Sequence, residues 1–248
     1  MTGLQLGVVA GAGLVAGAVN TIAGGGSLLS FPALLGAGLN PLVANVTNTV
    51  GLIPGQAAGA QGYRAELRGQ RQRLLRLAVP MAVGGVAGAT LLLTLPPGVF
   101  RHVVPWLILA SCLALLLQPR LLRVLGEHHG DRSAPLRAGL VLGGMYGGYF
   151  GAALGIMLLA LLALFIDDRL QRLNAAKVVL SGMVNVIAAV AFAIFGPVNW
   201  LCALVLGCGS LVGGRLGAHI GRRIPAEALR VGVAVVGAGV AVKLLVFP

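Results

Sequence analysis

The chain has 248 residues, of which 58% are hydrophobic and only 10% charged, against about 25% charged in a soluble domain. Residues 1–63 contain no Lys, Arg, Asp, Glu or His, and the runs 77–100, 103–118, 138–166 and 178–214 are equally free of charge. A bilayer core about 30 Å thick needs roughly 20 apolar residues per helix, so this composition excludes a soluble fold and predicts an all-α integral membrane protein. No period-2 alternation of polar and apolar residues runs through the chain, which excludes barrel strands. The net charge of +12 comes from residues clustered in short connectors beside apolar runs. That is the positive-inside pattern and not a nucleic-acid surface.

Eight apolar segments follow in order, at about 3–35, 40–63, 77–95, 99–118, 138–166, 173–195, 198–214 and 231–247. The first six residues lack a basic n-region, so no cleavable signal is expected. The first segment contains Asn20-Thr21-Ile22-Ala23-Gly24-Gly25-Gly26-Ser27. Consecutive glycines in a helix cost about 1 kcal/mol each relative to Ala, so an unwound break is predicted here. A helix starting after the break would aim free N–H groups and its positive dipole end at it, a ready anion site; a packing kink without a ligand is the alternative.

The second segment carries Asn45, Thr47 and Asn48, followed by Gln56. Its counterpart, the sixth, carries Asn174 and Lys177, followed by Ser181 and Asn185. A spacing of three puts Asn45 with Asn48, and Asn174 with Lys177, on one helix face. The bland account of the asparagines is interhelical hydrogen bonding. Lys177 precedes an uncharged run that extends to Gly214, and a charge within a span is a functional hypothesis by default. Snorkelling to the surface beside Arg172 is the other reading. Spacing of four also suggests two glycine ridges, Gly139-Gly143-Gly147-Gly151-Gly155 and Gly209-Gly213-Gly217-Gly221, for close helix packing or a substrate path.

The acids Glu66, Glu127, Asp131, Asp167, Asp168 and Glu227 all lie in connectors. A transported cation would find no countercharge in the spans, whereas an anion would find Lys177, amides and backbone N–H groups. Cys112, Cys202 and Cys208 lie in apolar runs and form no CxxC pair, so neither a metal nor a disulfide framework is expected, nor any cofactor. HExxH, GxSxG and phosphate-loop motifs are absent, which argues against an enzyme.

The halves repeat. A shift of 130 carries Gly13, Gly17 and Gly25 onto Gly143, Gly147 and Gly155, and a shift of 129 carries Asn45 onto Asn174 and Asn48 onto Lys177. The chain is therefore divided into a first membrane repeat at 1–118, a basic connector at 119–137 and a second repeat at 138–248. If all segments crossed fully, the basic connectors would divide nine against six between the two sides. If 3–35 and 138–166 each enter and return, fifteen of the eighteen basic residues share one side. The positive-inside rule prefers the second arrangement. It predicts an inverted repeat, with the basic connectors cytoplasmic and both termini outside.

The residues Gly17–Pro32, Pro41, Ala44 and Thr47-Asn48 resemble the first repeat of the TauE/SafE family of sulfite-exporter-like permeases. Its second repeat is similar to Gly155, Asn174-Ala175-Ala176-Lys177, Asn185, Gly196-Pro197-Val198-Asn199-Trp200 and the ridge that runs to Arg222-Arg223-Ile224-Pro225. The resemblance covers nearly the whole chain and implies a multi-pass permease of a bacterial-type inner membrane that moves small sulfur-containing anions. One departure is that Gly24-Gly25-Gly26 falls on Leu154-Gly155-Ile156, so a site built on the glycine break would be asymmetric.

The expected function is a secondary transporter of a small oxyanion. The expected substrate-binding residues are Asn20, Thr21, Gly24, Gly25, Gly26, Ser27, Asn45, Thr47, Asn48, Asn174, Lys177 and Asn185. Lys177 is the countercharge, and one repeat rocks on the other. A passive anion channel and a non-transporting membrane scaffold are the rivals. The expected partners are the anion and the lipid bilayer, without nucleic acid; the oligomeric state is left open.

Overall fold

The computed structural model describes residues 2–22, 24–125, 133–220 and 226–246. The described residues form ten helices and no strand: α1 (Gly3–Ile22), α2 (Ser27–Gly36), α3 (Pro41–Gly62), α4 (Arg71–Thr94), α5 (Pro97–Leu125), α6 (Ser133–Tyr149), α7 (Leu154–Phe165), α8 (Leu170–Phe195), α9 (Trp200–Ile220) and α10 (Ala226–Val246). The eight apolar segments become ten helices because the first and fifth each divide in two. By length and composition, α1, α4, α8 and most of α5 and α9 can each cross a bilayer. Several helices run past their apolar stretch. α4 starts at Arg71, and α5 and α6 reach into the 119–137 stretch expected as connector, since arginine is a good helix former.

Capping sets the starts of α3 and α9. Asn40 accepts a hydrogen bond from the Val43 N–H at 2.9 Å, with Pro41 at the first helical position. Asn199 caps α9 by accepting from the Cys202 N–H at 3.1 Å.

Both divided segments are hairpins. Gly26 packs against Ala16, and along the second hairpin Leu154 meets Gly147 while Leu161 meets Gly139. α2 and α7 thus run back along α1 and α6. The first turn has Gly24 at φ +89°; the second has Gly151 at φ +73° and Ala153 at φ +58°. Glycine adopts such angles without penalty, but Ala153 is held in the left-handed region at about 1–2 kcal/mol.

The contact pattern has internal symmetry. Exchanging α1–α5 for α6–α10 converts the α1–α9 packing into α6–α4, the α3–α9 packing into α8–α4, and the α2–α10 packing into α7–α5, while α3–α8 and α5–α10 map onto themselves. Each half therefore lends a hairpin to a helix of the other. Backbones touch at these seams. A Cβ added to Gly213 would lie 1.9 Å from the Leu14 carbonyl oxygen, and one added to Gly88 would lie 2.0 Å from that of Met145. The expected ridge on α9 packs in this way on α1 through Gly209, Gly213 and Gly217, with Gly221 outside the described residues. The other expected ridge is not one helix face. Gly151 lies in the turn and Gly155 on α7, and it is Gly144 and Gly148 that meet the α4 backbone.

Two three-helix bodies result. One joins α1 and α3 to α9; the other joins α6 and α8 to α4. A separate apolar core of Leu77, Met81, Leu140, Leu158, Leu162 and Leu180, with their neighbours, fills the second body and includes α7. The bodies meet along α3–α8 and at the hairpin tips.

At one end, Asp168 ties α4 to α8. Arg73 and Arg172 both donate to its carboxylate, the Arg169 N–H donates at 2.8 Å, and Gln70 Nε2 donates to the Arg172 carbonyl at 3.1 Å. Burial alone would raise the carboxyl pKa. The hydrogen bonds from Arg73, the Arg169 N–H and Arg172, together with the Arg172 charge, outweigh that and lower it.

Candidate functional site

The hairpin tips meet inside the bundle. A Cβ on Gly24 would lie 3.1 Å from the Gly155 Cα, so the two turns are in backbone contact. Beside them is a cavity of about 20 Å³, room for about one water. Asn20, Thr21, Gly24 and Ser27 come from the first tip, Gly151, Leu154 and Gly155 from the second, Gln56 from α3, and Lys177, Val178, Ser181 and Asn185 from α8. No carboxylate lines it among the described residues. Ser27 opens α2 and Leu154 opens α7, so two helix N-termini, each with a positive dipole end, lie at one small space, and the Leu28, Leu29, Leu154 and Ile156 N–H groups donate to carbonyls of the two turns.

Lys177 is 1% exposed, so it does not snorkel outward, and its Nζ has no hydrogen-bond partner among the described residues. Gln56 Oε1 is likewise buried without a partner among the described residues. A buried ammonium without an acceptor is costly, so the fold carries here a cation that its own residues leave uncompensated. Asn20 has a local task as well: its Oδ1 accepts the Gly26 N–H at 2.8 Å and clasps the first turn.

Six of the expected residues, Asn20, Thr21, Gly24, Ser27, Lys177 and Asn185, come together around the cavity. The other six lie outside its lining, for reasons the packing gives. Gly25 rests on Leu115 and Ile156, and Gly26 on Ala16. Asn45 Nδ2 donates to the Tyr149 carbonyl at 3.0 Å and so ties α3 to the second turn. Thr47 Oγ1 accepts the Asn199 N–H at 3.0 Å and anchors the start of α9. Asn48 and Asn174 are buried in α3 and α8, and Asn48 Oδ1 has no partner among the described residues.

Gln56, Gly151, Gly155 and Ser181 line the cavity without having been expected as binding residues. A signal existed for Gln56, because the 129-residue shift that pairs Asn48 with Lys177 also pairs Gln56 with Asn185, and both face the cavity. At one end of the bundle a crevice of about 820 Å³ holds Arg101 and Lys243, two basic residues that lie outside the basic connectors.

The family profile described as sulfite exporter TauE/SafE matches residues 9–244. Among curated proteins, the chain is similar to the probable membrane transporter protein YfcA of Escherichia coli (strain K12), with 29% identity covering 98% of this chain and 90% of the relative. It is similar to the probable membrane transporter protein ORF9 of a Sinorhizobium species, at 28% identity over 96% of this chain and 91% of the relative. A probable membrane transporter protein of Haemophilus influenzae is 29% identical over 84% of this chain and 82% of its own length. No solved structure gives a significant match. With a matching profile over almost its full length, two sequence-related halves and a helical membrane architecture, the chain belongs to the sulfite exporter TauE/SafE family.

Proposed function

We propose that the chain is an inner-membrane transporter for a small oxyanion, with sulfite and organosulfonates as the first substrates to try. The observation that carries this reading is the Lys177 ammonium, buried where two helix N-termini converge, with no partner and no acid in the wall among the described residues. Such an arrangement favours negative charge and disfavours a cation. In the proposed complex, Lys177 is the countercharge, free N–H groups of the tips and Asn20, Gln56 and Asn185 hold the oxygens, and Ser27 offers a hydroxyl, whereas the Thr21 and Ser181 hydroxyls already donate to the Gly17 and Val178 carbonyls. Asn45, Thr47, Asn48 and Asn174 support the walls. The family description names sulfite.

The cavity is too small for an oxyanion as it stands, so the proposed cycle opens it to one side at a time. The moving units in this proposal are the two three-helix bodies and not the sequence halves, because the α1–α9 and α4–α6 seams interlock the halves backbone to backbone. The crevice with Arg101 and Lys243 is proposed as the outer approach, where positive potential raises the local anion concentration. The basic connectors then face the cytoplasm.

The test is uptake of labelled sulfite, sulfate, sulfonates and carboxylates into proteoliposomes, with counterflow measured for any anion that moves. Saturable uptake with counterflow is expected for at least one sulfur oxyanion. Uptake without counterflow would mean a channel, and movement of none of the panel would defeat the anion reading.

A further inference from the structure

At the end of the bundle that carries the Asp168 clamp, α4 and α6 frame an open groove of about 1170 Å³. Arg73, Arg76, Arg137 and Arg172 line it, and Asp167 is the one acid in the lining among the described residues. Arg73 and Arg172 share Asp168, whereas Arg76 and Arg137 have no ion-pair partner among the described residues. The walls between the guanidiniums are apolar, through Leu136 and Ile166. Below Arg76, α4 exposes Val79, Val83 and Val86 along one side, a strip on a candidate span with hydrocarbon as its fitting solvent.

We propose that this groove is a binding site for one anionic phospholipid, with its phosphate held between Arg76 and Arg137 and an acyl chain lying along the valine strip of α4. Two features favour a lipid over a soluble anion. The guanidiniums lie at the end of a span, where headgroups sit, and the apolar strip leads from them toward the bilayer core. Guanidinium forks match phosphate oxygens bidentately, and basic pockets between transmembrane helices are a known way to hold anionic headgroups. The proposal is independent of what the central cavity carries.

The test is native mass spectrometry of the intact detergent-solubilised chain with added phosphatidylglycerol or phosphatidylcholine, repeated with 10-fold excess inorganic phosphate (about an order of magnitude above the lipid, enough to compete at a shared phosphate site). One retained phosphatidylglycerol and no retained phosphatidylcholine are expected. Arg76→Gln with Arg137→Gln should weaken retention about thirtyfold, at about fivefold per arginine near a headgroup. Both side chains are exposed, so folding should survive, and Arg76→Lys with Arg137→Lys keeps the charge while removing the forks and should give a smaller loss. The control is Arg64→Gln with Arg68→Gln, which removes equal charge from exposed positions outside the groove and should leave retention unchanged. Equal loss in the control, equal retention of phosphatidylcholine, or full displacement by inorganic phosphate would each overturn the proposal.

Discussion

Replacing Lys177 by Met separates a ligand-binding lysine from a structural one, because the two roles predict opposite signs in the anion-free protein. A structural lysine holds partners, and its loss weakens the fold. Here Nζ has none among the described residues and is buried. A charge within a span costs about 2.5–3.5 kcal/mol on insertion scales, and methionine fills a similar volume without that cost. Lys177→Met is therefore expected to stabilise the anion-free protein by about 1–3 kcal/mol, or about 2–4 °C per kcal/mol in thermal midpoint for a chain of this size. The same change should remove the anion's response. Sulfite at about 100 times its Kd should stabilise the wild type by about 2.7 kcal/mol. In the variant the lost charge partner weakens binding by about 2–5 kcal/mol, so at the same sulfite concentration the response falls from about 2.7 to about 0.9 kcal/mol or less and proteoliposome uptake falls at least about thirtyfold. The assay is thermal unfolding in detergent, with and without sulfite, beside uptake. A variant that melts lower without anion, yet keeps the sulfite-induced shift, would refute the reasoning.

Four further outcomes follow from the packing. A Cβ on Gly182 would lie 4.0 Å from that of Gln56 across α3–α8, within disulfide range; in a Cys208→Ala background, oxidised Gln56→Cys/Gly182→Cys should lose transport that reductant restores, whereas equal rates in both states would mean that this seam does not move. Gly213→Ala and Gly88→Ala meet backbone carbonyls and should lower stability by about 1–3 kcal/mol or more, while Gly11→Ala, with nothing near it, should be neutral or slightly stabilising by thermal midpoint. Asp168→Asn should lower stability at pH 7 by about 1 kcal/mol; because the folded carboxyl pKa is depressed, the contribution is present above the ordinary carboxylate value near 3.9 and fades as pH falls through the folded value, so wild-type and variant midpoints should converge in acid. Cysteines placed at Arg68 and Arg222 should label from the same, cytoplasmic side of intact membranes, and labelling from opposite sides would rule out the inverted arrangement.

The helical architecture was legible because membrane helices announce themselves through charge-free runs. The glycine break was also legible: Gly24 does take a positive φ. The second break was harder. Residues 150–153 contain one glycine, Gly151, and the left-handed Ala153 carries no sequence mark. Spacing of four misled at Gly139–Gly155, since the chain turns inside that interval. Among the polar residues, Asn45 and Thr47 matched in residue type what a binding site needs, but their partners, the Tyr149 carbonyl and the Asn199 N–H, lie more than a hundred residues away. Local sequence cannot separate an asparagine that holds a ligand from one that holds a distant backbone.

The interlocking of the halves bears on how a duplicated chain could acquire one asymmetric site. The exchange that maps α3 onto α8 maps Gln56 onto Asn185 and Asn48 onto Lys177. Gln56 and Asn185 both reach the cavity, so the amide pair keeps the symmetry. Of the other pair only Lys177 reaches it, and Asn48 stays in its own helix packing. A single cation placed on one body and faced by two helix N-termini, one from each hairpin, gives charge without a second cation to repel it. If opening separates the bodies along α3–α8, Lys177 departs with α8 and α7 while Asn20 and Gln56 stay with α1 and α3. An anion held between them would then bind the closed state more tightly than either open one, since each opening removes donors from one wall. Differential affinity of that kind is what a ligand needs in order to shift a conformational equilibrium. It ties the unpaired lysine to the division into bodies: with the charge compensated inside one body, the anion would have nothing to gain from closure.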